Sequence, residues 1–151
     1  METNKKLIIA FIIIIIAGVG IFGYMHQNSH SKIELGKTTF KLPDGYKEGE
    51  WTKNNTVRVS DGKTAAFISL KGNDNLNKTV YGFAQGFEKT GNHTIITNFT
   101  TSNVFVYKLN IENDTASYYW FKNNGETYCV YTWEANNNIE TLVVDLIKSM
   151  E

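Results

Sequence analysis

The sequence predicts an α+β domain: a mostly antiparallel sheet of about six to seven strands with two packed helices, preceded by one transmembrane helix. Three observations lead there. Two windows, 76–87 and 139–150, repeat their apolar residues with the helical period. Between and before them lie short runs rich in β-branched and aromatic residues, punctuated by Asn, Asp and Gly. The stretch Leu7–Met25 is 19 residues long and carries no charge.

Taken in chain order, that apolar stretch comes first. As a helix it would span roughly 28 Å, close to the ~30 Å hydrocarbon core of a bilayer. A helix also satisfies its own backbone hydrogen bonds where lipid cannot. Lys5 and Lys6 precede it, which places residues 1–6 in the cytoplasm by the positive-inside rule and the C-terminal part outside. The competing reading, a cleaved signal peptide, expects an apolar core of about 7–15 residues and a small-x-small exit. Residues 26–37 read as a polar linker, and 38–151 as one extracytoplasmic domain, long enough to bury a core.

Within the domain, Thr38–Leu42 reads as a strand stopped by Pro43, with Asp44-Gly45 as a turn. Tyr46–Lys53 is extended. Val57–Ser60 and Ala65–Leu70 flank Asp61-Gly62-Lys63, a hairpin signal. Leu76, Val80, Phe83, Ala84 and Phe87 then form one apolar helical stripe, capped at its start by Asp74 or Asn75 and ended near Gly91. Gly82 and Gly86 weaken that helix by ~1 kcal/mol each relative to Ala. Their four-residue spacing points to a close helix–sheet contact.

Four strands follow: Thr94–Asn98, Asn103–Ile111, Ser117–Lys122 and Thr127–Glu134. The last two form a hairpin around Asn123-Asn124-Gly125. Tyr118-Tyr119-Trp120-Phe121 puts aromatics on both faces of one strand, as in a central strand covered on both sides. Ile139, Leu142, Val143, Leu146, Ile147 and Met150 close the chain as a second helix, capped by Asn137 or Asn138.

The opening motif Phe40-x-Leu42-Pro43-x-Gly45-Tyr46 resembles the start of PsbP-like domains, an α+β family found in varied exported proteins. The order of elements, ending in a strand hairpin and a terminal helix, is similar too. The family usually carries Trp where Tyr46 stands. Some of its members bind metal ions or assist complex assembly, but no ligand residue can be matched here. The resemblance therefore implies fold, and fold does not carry function.

Composition narrows the function classes. Beyond residue 30 the chain has 13 Lys+Arg against 14 Asp+Glu, a net charge of −1, which argues against nucleic acid as a partner. Cys129 is the only cysteine, so no disulfide forms within the chain; it sits in an apolar run and reads as a buried, inert thiol. Five N-x-T sequons, at Asn54, Asn77, Asn92, Asn98 and Asn113, exceed the roughly 2.6 expected by chance and make these residues candidates for N-glycosylation.

No nucleotide, hydrolase, zinc-protease or cofactor motif is present. His26 and His30 lie four apart in the linker, but two ligands do not make a metal site. His93 is expected to face solvent. Asn73, Asn75 and Asn77 imitate the start of a calcium loop, which Lys78 and Ala84 then break by standing where Gly and Glu are required. Glu48 and Glu50 would share one face of an extended strand, as solvated charges rather than an acid–base pair. Trp51, Trp120 and Trp133 are the candidate binding surface, a sugar- or peptide-binding platform.

The reading favoured is a non-enzymatic, membrane-anchored exported domain that binds or supports another component of the cell envelope. Two others stand beside it. One is a ligand-sensing or glycan-binding module using exposed aromatics. The other is an enzyme whose site assembles from distant residues.

Overall fold

The computed structural model describes residues 31–134 and 138–151. The apolar stretch 7–25 and the histidines 26 and 30 lie outside the described residues. Among the described residues no helix is long and apolar enough to cross a membrane.

Residues 31–151 form one compact unit. Two strands, β1 (Lys32–Leu35) and β2 (Thr38–Lys41), pair as a small antiparallel hairpin. A seven-stranded sheet is built from β3 (Lys47–Thr52), β4 (Thr56–Ser60), β5 (Ala65–Gly72), β6 (Thr94–Thr101), β7 (Val104–Ile111), β8 (Ser117–Asn123) and β9 (Glu126–Thr132). Its spatial order is β3-β4-β5-β9-β8-β7-β6, with every neighbouring pair antiparallel. Helix α1 (Leu76–Glu88) joins β5 to β6, and α2 (Ile139–Ser149) follows β9.

The α+β class, the antiparallel sheet and both helices agree with the sequence reading. Lys32–Leu35, within the stretch expected as linker, forms β1. Its burial alternates, with Ile33 and Leu35 buried and Lys32 and Glu34 exposed, the signature of a strand laid on a core.

Turn chemistry fixes the register. Asn124 and Gly125 both take positive φ, 51° and 79°, the geometry a two-residue hairpin requires. This pairs Asn123 with Glu126 and, further along, Trp120 with Cys129 and Tyr118 with Tyr131. Asp61 shapes the β4–β5 turn by accepting from the Lys63 and Thr64 amides at 2.8 and 2.6 Å.

Cross-strand partners share a face of a sheet, so the register divides the core in two. Val57, Ile68, Val130 and Tyr119 lie on one face, with Val106, Phe121 and Tyr128. Helix α2 covers this face through Ile139, Leu142, Val143, Leu146 and Ile147, joined by Ile33, Leu35, Phe40 and Leu42 from the β1–β2 region. The opposite face carries Leu109, Ile111, Tyr118, Trp120 and Cys129 under Val80 and Ala84 of α1. Strand β8 is thus covered on both sides, and Tyr118, Tyr119, Trp120 and Phe121 are all buried. Each such ring contributes about 1.5–3 kcal/mol to stability by leaving water.

Asn75 caps α1, its Oδ1 accepting from the Lys78 amide at 3.1 Å. Asn138 holds the N-cap position of α2. Gly82 and Gly86 do not serve a close helix–sheet contact. Both are exposed, and a Cβ on either would meet nothing within 4 Å. The sheet side of α1 is its Val80–Ala84 stripe, and the glycines lie off it.

Candidate aromatic binding cleft

Helix α1 rests on β7, β8 and β6. The part of that face contributed by β5 and β9 extends beyond the helix. There the sheet carries a row of rings fixed by strand register. Phe67 on β5 stacks on Tyr131 of β9, centroids 5.1 Å apart and planes 17° from parallel. Tyr131 stacks in turn on Tyr118 of β8 at 5.6 Å and 23°. Trp133, just past β9, closes over both Phe67 and Tyr131 at 5.2 and 5.8 Å.

From the helix side, Phe83 and Phe87 come down one turn apart, which is the spacing that sets two side chains above one another. Phe83 meets Tyr118 and Trp120 edge-on at 4.9 and 5.0 Å. Between helix and strands a cleft of about 280 Å³ remains, lined by Lys71, Phe83, Phe87, Tyr118, Trp120, Cys129, Tyr131 and Trp133. Lys71 stands at its rim with its ammonium 5.8 Å from the Tyr131 ring centroid, a cation–π distance.

The electrostatics of this cleft are those of a dry place. Burial pushes the Tyr118 and Tyr131 phenols up from their ordinary value, and it drives the Cys129 thiol far higher. All three are therefore protonated and neutral at neutral pH. The indole N–H of Trp120 is buried without a hydrogen-bond partner. It is a donor stranded beneath the cleft, in a ring that packs against Phe83 at 5.0 Å between centroids. Among the described residues, no carboxylate and no carboxamide belongs to the lining.

The three tryptophans expected as one platform are separated. Trp120 is 2% exposed and belongs to the core. Trp133, 60% exposed, forms the outer wall of the cleft. Trp51 is also exposed, but it pairs with Val57 and so lies toward the α2 face, at the far sheet edge. Its indole N–H donates to Glu48. The reason is register: a β-bulge between Glu48 and Trp51 resets the alternation along β3. The same bulge interrupts the i, i+2 spacing that would have set Glu48 and Glu50 on one face.

All five sequon asparagines are exposed. Asn54 and Asn113 occupy turns at φ 59° and 64°. Asn77 is in the first turn of α1, where its carboxamide accepts from the Tyr107 hydroxyl at 3.4 Å. Asn92 follows α1, and Asn98 is mid-strand on β6. His93 is exposed, as expected. Asn73, Asn75 and Asn77 do not form a loop around a cation; Asn75 is spent on its capping bond and Asn77 is helical. Among the described residues, no group of three His, Cys, Asp or Glu side chains could hold a metal ion.

No family model matches the chain, and no curated protein matches it either. Among solved structures, the chain is similar to the solution structure of cyanobacterial PsbP from Synechocystis sp. PCC 6803. The identity is 12%, the TM-score is 0.48, and the match covers 82% of this chain and 92% of that one. The likeness is one of fold, and it lies with the family that the opening motif resembles.

Proposed function

We propose that this chain is a non-enzymatic binding module of the cell envelope, anchored by Leu7–Met25 with residues 38–151 on the outer face. In this reading the cleft beside α1 seats an apolar side chain, aromatic or long and aliphatic, presented by an envelope protein. The observation that carries the proposal is the half-open cleft of stacked rings with Trp133 exposed at its mouth. Rings held by strand register are pre-organised, so a guest meets them without a large ordering cost. Aromatic anchors in such pockets dominate the energetics of protein interfaces.

Two features favour this over its rivals. A sugar site needs carboxylates or carboxamides beside its rings to meet hydroxyls, and among the described residues the lining offers instead two phenols, two indoles, one thiol and one ammonium. An acid–base or nucleophilic site needs a group that ionises near neutral pH, whereas the phenols and the thiol here are all pushed upward.

The test is a titration of the protein with anilinonaphthalene sulfonate and, separately, with short peptides bearing Trp, Phe or Leu, read by fluorescence. Saturable binding that is lost in Trp133→Ala and kept in Trp51→Ala supports the cleft. Response to a panel of glycans alone, or no response to any probe, overturns it. Topology has its own check: protease outside intact cells should remove the domain, and full protection contradicts the orientation.

A further inference from the structure

We propose that β6 pairs with the β6 strand of a second copy of this chain, joining two seven-stranded sheets into one. The two outer strands of the sheet are built differently. Strand β3, at one edge, carries Lys47, Glu48 and Glu50 and is broken by its bulge. Charges and bulges are the usual devices that keep an edge from pairing. Strand β6, at the other, reads TIITNFTT over Thr94–Thr101. It has no charged residue and no proline, and all eight of its residues pair with β7 in unbroken register. β6 has a single strand neighbour in the sheet, β7.

Exposed apolar side chains lie near the same edge, on both faces of the sheet. Of the five large hydrophobic residues exposed among the described residues, Ile95 lies on β6, Phe105 on β7 opposite Thr100, and Tyr81 on α1 against Tyr107. Trp51 and Trp133 belong elsewhere.

The occupant follows from the strand's own symmetry. Two copies related by a two-fold axis through the sheet pair antiparallel, and partners must share a face. Ile95 and Phe99 stand on the α2 face, since Phe99 pairs with Val106 of that core and its ring lies 6.3 Å from Tyr119. Centring the axis on Thr97 sets Ile95 beside the partner's Phe99, and the second copy repeats the contact. Centring it on Ile96 or Asn98 leaves both residues without that match. With no charge on the strand, self-pairing meets no repulsion. Only this register pairs both apolar residues of that face at once.

Cross-linking of the full chain in membranes, made in a host that adds no N-glycans, tests this. Paired residues across antiparallel strands lie roughly 4.5–5.5 Å apart at Cα, within disulfide range. Thr97→Cys should give a disulfide-linked dimer on mild oxidation, since Cys129 is buried and does not compete. Thr101→Cys, whose two copies would be far apart in this register, should not. Adding Ile95→Lys to Thr97→Cys should lower the dimer yield about tenfold, by removing two apolar pairs and burying lysines. The unaltered chain should also sediment as a dimer in detergent, and Ile95→Lys as a monomer. Absence of a cross-link at 97, equal cross-linking at 97 and 101, indifference to Ile95→Lys, or a monomeric unaltered chain each overturns the proposal. A foreign strand as the occupant would appear as the last of these.

Discussion

The phenol oxygen of Tyr128 lies 2.8 Å from the carbonyl oxygen of Leu35, across 93 positions of sequence. It is also 2.8 Å from a carboxylate oxygen of Glu126, which in turn accepts from the Lys37 amide at 2.7 Å. One buried side chain on β9 thereby ties the β1–β2 hairpin to the centre of the sheet. Tyr128→Phe keeps the ring and its edge contact with Phe40 at 5.4 Å but removes the hydroxyl that meets both the Leu35 carbonyl and the Glu126 carboxylate. A cost of about 2 kcal/mol is expected, measured by chemical denaturation.

The same hydroxyl sets an alkaline limit. Burial, chiefly, pushes the Tyr128 phenol from 10.0 up to about 12. A pKa raised in the folded state contributes stability that is complete below the unfolded value and is lost as pH rises through the folded one. Stability should therefore fall between pH 10 and about 12, and the fall should be smaller in Tyr128→Phe. Tyr46, Tyr118, Tyr119 and Tyr131 are raised as well and retain part of the effect.

Gly82 and Gly86 offer the opposite sign. Both sit inside α1 with open space where a Cβ would go. Alanine at either should stabilise the domain by up to about 1 kcal/mol, through helix propensity and a less free unfolded chain. The midpoint of thermal unfolding should rise for each, and nearly additively for both. A loss of stability would mean that a Cβ at these positions meets a neighbour, against the open space found there.

Cys129 should be silent toward thiol reagents in the native protein. It is fully buried, and its pKa is raised, so the thiolate that reacts is scarce and unreachable. Colour development with an aromatic disulfide reagent should appear only in denaturant, as one thiol per chain. Rapid labelling of the folded protein would show that the cleft opens as far as the sheet.

Trp133→Ala should cost little stability, about 1 kcal/mol, because the ring is exposed and its contacts with Phe67 and Tyr131 are surface stacking. Its effect on probe binding in the cleft should be far larger than that of Trp51→Ala, at equal folded fraction by circular dichroism.

Much of this fold is written in local pattern. The stripe from Leu76 to Phe87 and the period of 139–150 name the helices, and Asn124-Gly125 names a hairpin. That hairpin even contains the cleft floor. Once Asn123 faces Glu126, Tyr118 must face Tyr131 and Trp120 must face Cys129. The pairing was legible in principle, whereas Phe67 was not. It reaches Tyr131 because β5 lies beside β9, a long-range choice no local pattern encodes. Trp120 and Trp133 look alike in sequence, yet burial separates them, since β8 is roofed by α1 and the residue past β9 is not. The Glu48–Trp51 bulge is likewise invisible in a run without a turn signal.

The placement of β5 beside β9 has a consequence for how the domain comes into being. The first strands, β3, β4 and β5, can form a meander early, but the neighbour that completes β5 arrives only near the end of the chain. The β1–β2 hairpin waits longer still, because its Thr39 exchanges backbone hydrogen bonds with Glu151, both at 3.1 Å. Closing loops of this length is slow and unrewarded until the last contacts form. A chain emerging residue by residue therefore stays open until nearly all of it is free.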